Sequence, residues 1–518
     1  MTAWAQVPGS GIIAPEKLVR DYIGERYFAA RRGAYSSASA NNPATSEWRT
    51  SLGSADSDTL GDLPTLRAQS RDLIRNDALA SGAVNGVTTN VVHTGIVPHA
   101  RIDARYLGLS DEAASAWQDD AKRVFELWAN ETSADAARTA NWWEQQQLVF
   151  RAKLESGDVF ALRRFIPRAG VVFGTAVQLI EADRVCNPEI VPENCVMRGG
   201  IELDKYGSPR AYHIANTHPG ENGMRSETTR IEAFDEFGQP IVLPIMSVKR
   251  IGQTRGVPYL SPVVQAIKQL SRYSEAEISA SVISAMFAVF VTSPNPSGGP
   301  LASLGAARGL GALADEEAKP QNTRVLTPGM ITDLAPGEDI KSAQMNRPNT
   351  AFEAFTQAVA RWIGVGLEIP YEVLVKHFTS SYSASRAALI EAWKFYLIER
   401  DNLVTRFCAP TYAWVIAEAV ATGLLAAPRF FEDPFARAAW LRCDWVGQAM
   451  PQIDPLKEAK AAEAWNKLGI QSRSYISSQQ GLDWDLTTAQ IRRENEIAAQ
   501  QHLSNAAESD GQQENEEE

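Results

Sequence analysis

Apolar residues recur along this chain at two spacings, and the change of spacing divides it into sections. From Leu66 to about Leu154 they lie three and four apart, as in the run Ala113 to Trp128, which predicts amphipathic helices. From Val159 to Val248 the pattern shifts to short β-prone segments, Val171 to Ile180 among them, with a hairpin-like turn at Tyr206-Gly207. Ser261-Pro262 reads as a helix start, a capping hydroxyl ahead of a proline at the first helical position. Helical composition then continues to about Val291, a length of roughly 45 Å at 1.5 Å per residue. Pro294, Pro296, Gly298, Gly299 and Pro300 end it, and Leu301 to Arg347 mixes Gly-rich stretches with short β-like pieces at Arg324–Pro328 and Met330–Leu334. A helix resumes near Thr350, whose hydroxyl can cap it. After an apolar helix through Ile416, Pro428 and Pro434 mark a turn. Asp454-Pro455 opens another helix ended by Gly469, and Ser474 to Gln479 and Thr487 to Ala499 read as short helices. The predicted class is α+β, mainly helical.

One juncture carries more information than the rest. The apolar helix that begins near Thr350 runs into Gly364-Val-Gly366, where the glycines loosen its end, and then meets Pro370. Proline has no backbone N–H, and its ring disfavours helical geometry at Ile369, so the helix stops there. Lys376 to Ser381 show no apolar periodicity, while Ser381, Ser383 and Ser385 each offer a short capping oxygen. A new helix is expected from about Ser383. Leu389, Trp393, Tyr396, Leu397 and Leu403 fall on one stripe of it, with Arg386, Lys394, Glu399 and Arg400 among its polar residues. A polar loop is therefore held between two packed helices.

Helix, Gly364 to Leu374, polar loop, then Tyr382 to Leu389 opening a helix resembles the signature of the lambda-type family of tailed-bacteriophage portal proteins. Further blocks occur in the family's order: Leu66–Asn76 with Ala80–Val84 and Val91–Pro98, then Glu155–Phe160, Gln178–Arg184, Gly200–Gly207 and Gly252–Pro262, and finally Ile453–Ala459 with Gly481-Leu-Asp483. Together they extend from about Leu66 to Glu494. The resemblance implies the portal fold, with a wing at residues 63–259, a first stem helix at 260–292, a clip at 293–347 and a second stem helix at 348–368. A tunnel loop at 369–383, a tunnel helix and following wing helix at 384–427, and a crown at 428–500 complete it. It further implies a cyclic homo-oligomer, usually of twelve subunits, set at a capsid vertex of the virion with double-stranded DNA in its channel. The implied partners are the terminase large subunit, head-tail connector proteins, and the major capsid and scaffolding proteins. Lys376, His377, Thr379, Ser380, Ser381, Tyr382 and Ser383 are then the residues facing DNA.

Composition narrows the picture independently. At 518 residues the chain exceeds one hydrophobic core, and with 44% hydrophobic and 22% charged residues it is an ordinary soluble composition. Residues 1–62, rich in Ser, Ala and Gly with one basic helical stretch around Glu16 to Arg32, read as a partly mobile arm. The net charge of −12 argues against an outer surface that wraps nucleic acid, which needs clustered Lys and Arg, but not against a channel through which DNA must slide. Much of that charge lies in Glu508 to Glu518, within a tail at 501–518 of disordered composition. The four cysteines, Cys186, Cys195, Cys408 and Cys443, form no CxxC pair, so disulfide scaffolding and zinc are poor readings and a reducing compartment fits. The start, Met1 to Pro8, lacks the basic patch and apolar run of a signal peptide. Two apolar stretches, Ile278 to Val291 and Ala409 to Pro428, are either too short to cross a bilayer or interrupted by Glu418, and are expected as buried helices.

Catalytic motifs are missing: no GxxxxGK[ST], GxSxG, HExxH or GxGxxG occurs. The pairs Asp483/Asp485 and Glu181/Asp183 are better read as a helix-start cluster and a strand-end turn than as metal or proton sites. His377 has no Ser, Cys or carboxylate partner at a recognisable spacing, so a phosphate or partner contact is a better reading than base chemistry, and a solvated loop residue an equal one. Trp142-Trp143, inside an apolar-periodic helix, is expected in the core rather than stacking bases. No enzyme, cofactor or metal is implied. Two other functions stay open, the portal of a domesticated particle such as a gene transfer agent and a helical structural adaptor without a DNA channel. A capsid-maturation protease would need a Ser/Lys or Ser/His arrangement that this sequence lacks.

Overall fold

The computed structural model describes residues 4–6, 13–15, 52–188, 192–194, 196–221, 227–286, 290–292, 339–341, 351–378, 381–450, 454–482, 484 and 487–499. The chain divides into a unit of residues 1–58 and a unit of residues 59–518. In the first, strands β1 (Trp4–Gln6) and β2 (Ile13–Pro15) pair antiparallel. The basic stretch at Glu16 to Arg32, the β-like pieces between Leu301 and Arg347, the cap at Thr350 and the acidic tail lie outside the described residues.

The second unit begins with the helix pair Leu63–Asn76 (α1) and Ala78–Val91 (α2), split where Asp77 adopts extended geometry and its carboxylate accepts from Ala80 N–H at 2.9 Å. The long amphipathic helix Asp111–Ala129 (α3) follows, capped by Ser110, and then Trp142–Ser156 (α4) with a full capping box of Asn141 and Glu144. Trp142 is fully buried, packed edge-on to Phe125 at 5.0 Å, and belongs to the core as its periodicity predicts, while Trp143 is half-buried against that core with its indole N–H donating to Asn130.

The β-prone section forms two sheets. One has the order Val242–Met246, Asp158–Phe165, Thr175–Glu181, and the other runs Met197–Arg198, Ile201–Leu203, Pro209–Ala215, Thr228–Glu232, all antiparallel. Phe160, Leu162, Ile180, Tyr212 and Ile214 fill a second core beneath them. Glu202 on this sheet receives two hydrogen bonds from Arg230 and lies 2.7 Å from His213 Nε2. The Arg230 hydrogen bonds, followed by His213, pull its carboxyl from 4.5 down to about 2. A depressed carboxyl contributes stability that is fully present above its unfolded pKa and lost as pH falls through the folded one. The stability advantage of the native chain over Glu202→Gln is therefore expected to shrink as pH falls from about 4.5 and to vanish near 2, read by urea unfolding across that window. A difference constant with pH would rule the charge out as its source.

Helix α5 (Val264–Met286) departs from the sequence reading at both ends. Residues 261–263 form a turn, and the Ser261 hydroxyl is buried without a hydrogen-bond partner, so it is not the cap. At the far end Phe290–Thr292 is a strand paired with Asp339–Lys341, so the helix does not reach Val291. An aromatic and two β-branched residues ahead of a proline-rich stretch favour extended backbone there. Ile278 and Val282 on α5 are exposed, against the expectation of a wholly buried helix.

Helix α6 (Phe352–Gly366), with Ala351 at its N-cap, is followed by the single turn α7 (Tyr371–Leu374) and the long helix α8 (Tyr382–Leu403). A π-helical turn at Val404–Cys408 joins α8 to α9 (Ala409–Ala421). Glu418, the residue that argued against a membrane span, turns inward and accepts from the N–H groups of Gly174 and Thr175 at 2.7 and 2.8 Å. No helix among the described residues is long and apolar enough to cross a membrane.

Residues 428–446 correct the sequence reading, which grouped them with a C-terminal section. The helix α10 (Pro434–Leu441) packs Trp440 on Trp117 at 4.8 Å, and the strand Cys443–Val446 pairs with Val97–Ala100. This stretch belongs to the main core. The later helices, α11 (Pro455–Lys467) and α12 (Arg473–Gln479), contain no buried residue.

Candidate functional site

Backbone and side-chain anchors fix the chain between α6 and α8. Gly364, inside the last turn of α6, is buried, and its carbonyl accepts from Ile369 N–H at 2.9 Å as the chain turns back on itself. A Cβ at this position would lie 2.5 Å from the Ile369 carbonyl oxygen, and one at Gly366 would lie 2.6 Å from Val263 Cγ1. Close approach, rather than a loosened helix end, is why glycine stands at both. Gly364→Ala is expected to cost about 1–3 kcal/mol by forcing this turn apart, measured as a lowered urea midpoint. An unchanged midpoint would show that the turn has room to relax.

Leu367, Ile369 and Leu374 are buried, and the Tyr259 hydroxyl donates to the Leu367 carbonyl while its ring stacks on Phe395 of α8. Burial pushes the Tyr259 phenol well above its usual pKa, so it remains a donor. Arg361 lies over the Tyr371 ring at 5.4 Å and ties α7 to α6. Residues 369–374, read from sequence as part of the loop, are thus a packed helical turn.

The exposed stretch begins at Lys376. Glu368 and Lys376 both adopt left-handed backbone, with φ of 56° and 55°, each just past the end of a helix where glycine is usual. Lys376 and His377 are exposed, His377 N–H donates to the Glu372 carbonyl at 3.0 Å, and Phe378 is half exposed. Thr379 and Ser380 lie outside the described residues. Ser381 occupies the N-cap position of α8, but its hydroxyl makes no cap hydrogen bond. Tyr382 opens the helix, and Ser383 is exposed on its first turn. The structure therefore brings Lys376, His377, Ser381 and Ser383 to one solvent-facing bend, with Phe378 added.

The base of α8 is fixed quite differently. Arg400, assigned by sequence to the polar face, is buried and donates to the carbonyls of Val91, Asn90 and Gln448 at 3.0, 3.1 and 2.9 Å. Glu399 accepts from the buried Lys153 ammonium, which also holds Asn402. Leu397, placed by sequence on the core stripe, is exposed, while Ala392, Tyr396 and Leu403 are buried. At the tip, Arg386 pairs with Glu458 of α11 at 2.7 Å.

Four of the blocks that carried the sequence resemblance, those holding Arg67, Asp158, Asp183 and Arg255, meet in one buried network. Asp158, fully buried, accepts from Arg67 at 2.9 Å, from Arg255 Nε at 2.7 Å and Nη2 at 3.1 Å, and from Gly256 N–H at 2.9 Å. Arg255 also donates to the carbonyls of Ala182, Val185 and Gly199. Asp183 pairs with Arg67 and Arg71; burial alone would raise its carboxyl, but the two guanidinium charges outweigh that and hold it below the usual range. His218 Nε2 lies 3.1 Å from Glu181 and 3.6 Å from Asp183 at the rim, and of the Glu181/Asp183 pair it is Asp183 that the arginines hold. Among the described residues no group of three or more His, Cys, Asp and Glu could hold a metal ion.

The family model described as phage portal protein, lambda family, matches residues 41–400. This chain belongs to that family. It is 22% identical over 468 residues to portal protein B of Escherichia phage lambda, covering 86% of each chain. To the portal protein of Escherichia phage N15 it is 24% identical over 472 residues, covering 86% of this chain and 87% of that one. Among solved structures, a chain from the virion of a native gene transfer agent particle matches with a TM-score of 0.45 at 14% identity, covering 81% of this chain and 93% of that chain. An HK97-family phage portal protein from Corynebacterium diphtheriae matches with a TM-score of 0.30 at 13% identity, covering 70% and 93%. As a phage portal protein the chain is a structural, non-enzymatic component.

Proposed function

We propose that copies of this portal protein close into a ring at one capsid vertex and that double-stranded DNA passes through its axis, inward during packaging and outward at ejection. The observation that carries this reading is the family match over residues 41–400, together with similarity to two phage portal proteins along 86% of the chain. In this reading the bend at Lys376 to Ser383 faces the channel. Its exposed side chains offer DNA one cation, one imidazole and the hydroxyls of Ser381 and Ser383 per subunit, a weak set of contacts that a sliding duplex can cross. Residues 293–347 supply the surface for the terminase large subunit and later for head-tail connectors, and the outer parts of the ring meet the major capsid and scaffolding proteins. The energy for packaging comes from the terminase.

Negative-stain images and native mass spectrometry of the purified chain test the ring, with closed particles of high cyclic symmetry and an axial hole as the expected result. A chain that stays monomeric or dimeric at assembly concentrations would overturn it. Duplex binding by the isolated ring is expected to be weak at physiological salt, with no ATP turnover.

A further inference from the structure

Apolar patterning does not fix which face of α8 turns inward. Ala392, Tyr396 and Leu403 are buried while Ile390, Leu397 and Ile398 are exposed, so apolar side chains stand on nearly every side of the helix. A rotation of about a third of a turn would bury Ile390 and Leu397 in place of Ala392 and Tyr396. Polar side chains at the base of the helix distinguish these rotations. The buried Lys153 ammonium of α4 donates to Glu399 and, at 2.9 Å, to Asn402, so it grips two successive turns of α8. Glu399 also accepts from the Ser247 hydroxyl at 3.2 Å. One residue further around the helix, Arg400 donates to the carbonyls of Asn90 and Val91, the last two residues of α2, and to that of Gln448. Carbonyls at a helix end lack partners within the helix and favour a cation. Gly447 leaves the guanidinium its room, since a Cβ there would lie 2.8 Å from Arg400 Cζ. Burial pulls the Lys153 pKa down, and an ion pair so enclosed adds little stability beyond apolar residues of the same volume. What hydrogen bonds supply and apolar contact does not is direction.

We infer that Lys153, Glu399, Arg400 and Asn402 are positioning residues, which select one rotation of α8 about its axis and with it the side of the bend at Lys376 to Ser383 that meets DNA. The helix carries the rotation to the bend because Tyr382 and Glu399 lie on one continuous helix, about 25 Å apart at 1.5 Å per residue. The link to DNA rests on the ring reading above, and the selection of a rotation does not. Ala392→Cys reports the rotation, because position 392 is fully buried, and the native Cys408, buried equally but on the π-helical turn, reports general loosening. In the folded full chain, maleimide labelling located by peptide mass is expected to be slow at both. Lys153→Met with Glu399→Leu is expected to speed labelling at 392 by about tenfold or more, with Cys408 still slow and the urea midpoint little changed. Arg400→Lys, which keeps the charge but not the fork that reaches three carbonyls, is expected to act in the same direction. DNA per particle is expected to fall in both variants at unchanged ring yield. Where the double variant does not fold, Arg400→Lys decides alone. Labelling at 392 that stays slow, or that rises only in step with Cys408, would overturn the inference. Fast labelling with normal DNA content would overturn the link between rotation and channel. A native chain that forms no ring, or a bend whose replacement by Ala leaves filling normal, would instead overturn the reading on which that link rests.

Discussion

Asp158→Asn is expected to destabilise the subunit by about 3–5 kcal/mol, more than any other single polar substitution proposed for it. The amide keeps the shape of the carboxylate but removes the negative charge between two buried guanidinium groups, those of Arg67 and Arg255. Neither arginine can turn to water, since their side chains are only 6% and 3% exposed. Breaking one member of a buried ionic network leaves an uncompensated charge behind, and that penalty exceeds what the pair contributes when whole. Urea unfolding of the unassembled chain measures the loss as a lowered midpoint at unchanged slope. A midpoint equal to that of the native chain would mean that the arginines find other acceptors.

Replacing Lys376, His377 and Tyr382 together by Ala is expected to leave ring yield and subunit stability almost unchanged while the DNA content per particle falls steeply. Stability is spared because Lys376 and His377 are exposed and the anchors of this region lie elsewhere, at Gly364, Leu367, Ile369, Leu374 and Tyr259. In the proposed ring the same change, repeated in every subunit, removes a complete circle of contacts from the DNA path. Deleting residues 298–345 is expected to do the reverse, abolishing terminase and connector binding with the bend intact. The measurement is DNA per particle alongside ring yield for both variants. Normal filling with the altered bend would make these residues bystanders, and collapse of the ring would assign them to the fold.

What the sequence alone determined was set by local chemistry. Proline at 370 bars helical backbone at Ile369 wherever the chain lies, because the missing N–H and the ring act on the nearest residues, although α6 ends earlier, at Gly366, and Pro370 becomes the N-cap of α7. Helical spacing identified α3 and the buried Trp142, and Asp454 ahead of Pro455 announced α11, with Asp454 accepting from Lys457 N–H at 3.2 Å. The order of short blocks along the chain points to the family, and the match over residues 41–400 bears that out. The polar bend at Lys376 was legible for the same reason that it is exposed, since nothing apolar holds it.

Tertiary structure decided everything that depends on residues far apart in the chain. Arg400 and Glu399 look like surface charges on a helix, and only the carbonyls of Asn90, Val91 and Gln448 and the ammonium of Lys153 make them buried anchors. Ser261 has the sequence of a cap and lost that role once residues 261–263 became a turn. The strand Cys443–Val446 finds its partner more than three hundred residues upstream, so no local pattern could have placed it in the main core. The blocks around Arg67, Asp158, Asp183 and Arg255, separate in sequence, share one buried carboxylate and its ion pairs. A buried charge is stable only with its partners, and which partners reach it is a property of the folded chain.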